Sequence, residues 1–67
     1  MVISSFFKEE TDGRMRADVL LVEDMYQIRY YNMNGECFKS ESFPGKSLRF
    51  VEDAAENWTM GIKILNG

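Results

Sequence analysis

Eleven acidic and eight basic side chains, one cysteine and no histidine make up the reactive inventory of this 67-residue chain. Without histidine, a serine or cysteine nucleophile lacks its usual base, and the commonest metal ligand is missing. One cysteine without histidine also excludes an ordinary structural zinc site. Nothing adjacent to Cys37 marks it as an activated nucleophile, so it reads as a small, half-exposed strand residue. Glu52, Asp53 and Glu56 have the composition of a divalent-metal cluster or an acid–base pair. The competing reading, a solvated helix face with acids drawn to the helix N-terminal end, accounts for them with fewer demands. Glu9 and Glu10 flank a turn whose Asp12 suits turn geometry, and no calcium-loop spacing is present. Phe43-Pro44-Gly45-Lys46-Ser47 invites a phosphate-loop reading, but the upstream glycine that motif needs falls on Ser40, and no buried parallel strand precedes it. Gly45 then makes a turn, Ser47 a helix cap, and Lys46 at the helix start is left as a weak anion candidate. The expectation is a protein without catalytic residues, metal or cofactor.

These side chains have to be positioned by a small framework. A chain of this length forms one domain near the lower size at which a core alone sustains folding. With 45% hydrophobic and 13% aromatic residues it is globular in composition. A net charge of −3 and a pI near 4.8 argue weakly against a general nucleic-acid binder, which needs clustered positive charge. The lone cysteine fits a reducing cytoplasm. Met1 to Phe7 has neither the basic start nor the apolar run of a signal peptide, and no membrane association is expected.

Leu48, Val51, Ala55, Trp58 and Ile62 recur on one side of a helix, about 48–60, with Glu52, Asp53 and Glu56 on the other. Ser47 can cap its start and Gly61 can close its end. Before it, the alternation predicts strands at about 2–9, 14–22, 25–32 and 36–43, and Ile62-Lys63-Ile64-Leu65 reads either as a short fifth strand or as a tail on the core. Thr11-Asp12-Gly13 and Met33-Asn34-Gly35 suit three-residue hairpin loops, and Glu23-Asp24 a two-residue one, less typical for lacking glycine or asparagine. These turns predict Phe7 opposite Ala17, Val19 opposite Ile28, and Tyr30 opposite Phe38. The fold class is therefore α+β: a four-stranded antiparallel meander with one C-terminal helix packed on one face. The helix-facing side carries Ile3, Ser5, Phe7, Met15, Ala17, Val19, Leu21, Tyr26, Ile28, Tyr30 and Phe38. At roughly 1.5–3 kcal/mol per large apolar side chain, this surface outweighs any exposed ion pair.

The opposite side of the sheet carries the functional question. The predicted registers bring Phe6, Leu20, Val22, Met25, Tyr31 and Phe43 together there as an apolar patch able to pack on a second copy or on another protein. The same side holds Arg14, Arg16, Arg29 and Lys39, which with Tyr31 form an alternative platform for single-stranded nucleic acid. Asp18 opposite Arg29 predicts a cross-strand pair of modest value. The third reading is a plain solvated sheet face.

Residues 43–58, and above all Glu52-Asp53-Ala54-Ala55-Glu56-Asn57-Trp58, resemble the C-terminal part of small uncharacterised proteins of T4-like cyanophages. The resemblance covers about a quarter of the chain. It implies expression in the cytoplasm of an infected bacterial cell and brings no catalytic or binding residue with it. The functional expectation is a small non-enzymatic protein-interaction module, self-associating as a dimer or binding a host or phage protein. Single-stranded nucleic-acid binding is the alternative.

Overall fold

The computed structural model describes residues 1–62. Strands β1 (Val2–Glu10), β2 (Gly13–Val22), β3 (Met25–Tyr31) and β4 (Cys37–Phe43) form one antiparallel sheet in chain order, and helix α1 (Leu48–Thr59) packs on one face of it, over β1, β2 and β3. The α+β meander read from the alternation is thus the fold. Lys63 to Leu65, which with Ile62 read as a strand or tail, lie outside the described residues; Ile62 itself is exposed.

The central hairpin follows the predicted register, with Ala17 opposite Tyr30, Val19 opposite Ile28 and Leu21 opposite Tyr26. Ala17, Val19, Ile28 and Tyr30 meet Val51, Ala55 and Trp58 of α1 to form the buried core. Trp58 meets the Tyr30 ring edge-on at 4.9 Å, a favoured aromatic geometry. The Tyr30 hydroxyl donates to Glu41 Oε1 at 2.6 Å. Burial, with that bond and the Glu41 charge, raises its pKa well above the ordinary tyrosine value.

Both ends of α1 are closed as its sequence suggests. Ser47 Oγ accepts from the Phe50 amide. At the other end Gly61, at φ 78°, donates to the Trp58 carbonyl and Ile62 to the Asn57 carbonyl, which is the Schellman arrangement. This closure removes Ile62 from the helical stripe. The first turn of α1 holds no acid. The acidic residues begin one turn later, and half-buried Glu52 accepts from Ser4 Oγ of β1 at 2.8 Å. Glu52 therefore ties helix to sheet, and only Asp53 and Glu56 form the exposed part of the expected solvated face.

Both outer strands present different residues from those predicted. The first turn is a two-residue loop, Thr11-Asp12, because Glu10 pairs with Gly13. The resulting one-residue shift sets Phe7 opposite Arg16 and Phe6 opposite Ala17, and Ile3 falls in an irregularity between Val2 and Ser4. A shift of one residue reverses every side chain of a strand. Phe6 turns to the core side and Phe7 to the outer face, the reverse of the prediction, and Ser5 goes outward with Phe7. In the third hairpin the expected loop forms: Gly35, at φ 82°, donates to the Asn32 carbonyl, and Tyr31 pairs with Cys37. A bulge at Phe38 then changes the register, so that Tyr30 faces Lys39 and not Phe38. Lys39, Glu41 and Phe43 therefore lie on the helix side, where Phe43 meets Phe50 at 6.2 Å.

Candidate functional site

The β1–β2 turn and the β3–β4 loop lie at the same end of the meander, and between them the outer face forms an open groove of about 340 Å³. Phe7, Arg14, Arg16 and Tyr31 supply its sheet wall, and Asn32, Met33 and Gly35 its loop wall. Each part has a local cause. The two-residue first turn points Phe7 outward. The Arg14-x-Arg16 spacing puts both arginines on one side of β2. Asn32 Oδ1 accepts from the amides of Asn34 and Glu36 and shapes the loop. Gly13 takes φ 152°, a conformation that L-residues rarely adopt, and a β-carbon there would stand 3.4 Å from Met33 Sδ. The φ is what favours glycine there, and Met33 lies in ordinary contact with it across the two hairpins.

Two guanidinium–aromatic stacks line the groove. Arg14 lies 4.5 Å from the Phe7 ring centroid and Arg16 lies 4.2 Å from that of Tyr31. Such contacts are worth about 0.5–1 kcal/mol each at exposed sites. Their larger effect is to hold two flexible cations in defined planes. Arg16 is further held by Asp18, whose Oδ1 lies 3.0 Å from Nε and also accepts from Ser5 Oγ at 2.8 Å. Asp18 is only 6% exposed, an ionisable group buried with both partners beside it. Arg16 Nε is buried without an aligned hydrogen bond, while 41% of the side chain is exposed. The Nη side of the guanidinium is therefore the part left to a ligand.

The structure separates both predicted residue sets. Of the apolar patch, Leu20, Val22, Met25 and Tyr31 share the outer face, but Leu20 is itself buried, and Val22 with Met25 stands at the opposite end from Tyr31. Phe6 and Phe43 pack toward the core from the other face. Of the alternative set, Arg14, Arg16 and Tyr31 converge in the groove, Arg29 is exposed on the outer face beyond its lining, and Lys39 points to the helix side. Asp18 does stand opposite Arg29 in register, but its short ion pair is with Arg16 on its own strand. Phe7, Asn32, Met33 and Gly35 line the groove outside both predicted sets. No sequence signal separates Phe7 from adjacent Phe6; the pairing of Glu10 with Gly13 in the structure is what turns Phe7 outward.

The remaining candidates have structural positions. Lys46 Nζ lies 4.9 Å from the Phe50 ring centroid, Gly45 turns at φ 74°, and Ser47 caps α1. Cys37 is exposed next to the β4 bulge, its thiol 3.6 Å from the Lys39 carbonyl. Among the described residues no three acidic or cysteine side chains gather as a metal site, and no helix is long and apolar enough to cross a membrane. Comparison with protein families, with curated proteins and with solved structures finds no match to this chain.

Proposed function

We propose that this chain is a small non-enzymatic protein-interaction module whose docking surface is the groove between Phe7 and Met33. One observation carries the reading: two arginines held on aromatic rings stand beside an exposed methionine in an open concavity. Arginine, aromatic residues and methionine are the types enriched at protein interfaces, and anchors of this kind dominate binding energy. With the apolar patch dispersed, this reading takes the end of the sheet and not its middle as the docking surface. A second copy is a less favoured partner on this reading than a different protein, since Phe6 and Phe43 are spent on the core. The resemblance of residues 43–58 to small cyanophage proteins fits a phage accessory factor whose partner is a phage or host protein.

Single-stranded nucleic acid is the second reading, because Arg14, Arg16 and Tyr31 do converge. The test is photo-crosslinking from a benzophenone side chain installed at Met33, in infected or host-type cells. A defined protein adduct that disappears with Arg14→Ala and with Arg16→Ala, but persists with Met25→Ala, is the expected outcome. An adduct pattern indifferent to both arginines overturns the assignment of the groove. Light scattering at high concentration checks self-association, with a monomer expected.

A further inference from the structure

The groove is more selective than its two positive charges suggest. On its outer-face rim Glu9 stands opposite Arg14, and Glu36 is held at the loop by the Asn32 amide, 3.2 Å away, while Asp18 lies buried against Arg16. Two exposed carboxylates thus flank two guanidiniums, one of them already paired with buried Asp18, in a chain of net charge −3. A nucleic-acid strand carries a phosphate at every nucleotide and would bring several of them against these acids. It also binds by stacking bases on open aromatic faces. Phe7 and Tyr31 each already carry a guanidinium on one face. A ligand whose negative charge is confined to one or two points avoids both penalties.

We infer that the groove takes a short peptide segment with one or two side-chain carboxylates next to an apolar residue. This rests on the docking reading above and names its ligand class. The carboxylate meets the exposed Nη side of Arg16 and the guanidinium of Arg14. Planar two-point pairing of this sort favours arginine over lysine. The apolar neighbour packs on Met33 and the rim of Phe7, which are 49% and 47% exposed and therefore have surface to bury. Asp18 is a positioning residue: it sets the Arg16 plane from beneath and does not touch the ligand.

The probe is a short labelled peptide built from Glu, Leu and Ser, titrated by fluorescence anisotropy at low salt. Parallel arms use the same peptide with Gln for Glu, and a labelled oligothymidine. The acidic peptide is expected to bind, to weaken about tenfold with either Arg14→Ala or Arg16→Ala, and to weaken as salt rises. Arg16→Lys should recover only part of the loss, and Arg16→Glu should move preference to a Lys-containing peptide. Circular dichroism on each variant separates lost binding from lost folding, and Arg14→Ala does not disturb the Asp18 ion pair. Equal binding of the Gln peptide, stronger binding of oligothymidine, or no peptide binding overturns the inference. Failure of the peptide with an Arg-dependent crosslink intact removes the ligand class alone, and failure of both removes the docking reading as well.

Discussion

Cations stack on aromatic rings on both faces of this sheet, at the same end, and with different consequences. On the helix side Lys8 Nζ lies 5.3 Å from the Trp58 ring centroid, at the margin of the core. On the outer side Arg14 and Arg16 lie 4.5 and 4.2 Å from Phe7 and Tyr31, in an open groove. The Lys8 contact covers a ring that is already 4% exposed, so it belongs to burial. The arginine contacts leave their rings and their own donors partly in solvent. The same interaction type closes one surface and prepares the other, and what distinguishes them is whether a helix lies above.

Four substitutions test that division. Trp58→Ala should have the largest effect, about 3–5 kcal/mol of stability lost, read by urea denaturation, enough to threaten so small a domain. A loss below 1 kcal/mol would remove the helix side from its role as the stabilising face. Tyr30→Phe should cost about 1–2 kcal/mol, since half-buried Glu41 loses a close donor. It should also change the alkaline limb. The folded hydroxyl holds its proton more tightly than the unfolded one, whose value is near 10.0, so its contribution is complete below that pH and falls as pH rises above it. The advantage of the native protein over Tyr30→Phe should therefore shrink above about pH 10, and a constant difference would refute the assignment.

Asp24→Gly lies on neither face. Glu23 and Asp24 both hold positive φ, 50° and 65°, in the turn between β2 and β3. Glycine there should raise stability by about 1 kcal/mol, with peptide affinity unchanged. A shift in affinity would mean that the groove senses the far end of the sheet. Arg14→Ala should change stability least, by about 0.5–1 kcal/mol for the lost Phe7 stack, while weakening binding at the groove. Calorimetry and anisotropy on one sample show whether the two effects separate as the comparison requires.

Much of the fold was legible because several signals agreed. Met15, Ala17, Val19 and Leu21 alternate without ambiguity against Tyr26, Ile28 and Tyr30, so the central register had one solution. Ser47 and Gly61 bracket the helix by well-defined capping chemistry. The outer strands lacked that redundancy. Phe6 and Phe7 are adjacent and identical, so a slip of one residue exchanges one phenylalanine for the other, and hydrophobic pattern alone cannot choose. In β4 the only phenylalanines stand at opposite parity, Phe38 and Phe43, and a bulge decides between them. The candidate site divides along the same line. Arg16 beside Tyr31 followed from the central register, whereas Phe7 depends on a shortened turn and Met33 on the Asn32-shaped loop, features without hydrophobic periodicity.

Strand order along the sheet equals strand order along the chain. Each pairing therefore closes a short loop, with little search entropy, and domains dominated by such local contacts fold rapidly. The helix is the long-range exception, since its core residues meet strands much earlier in the chain. Val51, Ala55 and Trp58 cover the apolar face of the sheet, so the meander without its docked helix leaves that face wet. A state in which the helix has undocked is therefore the one in which this chain is most exposed to unwanted association.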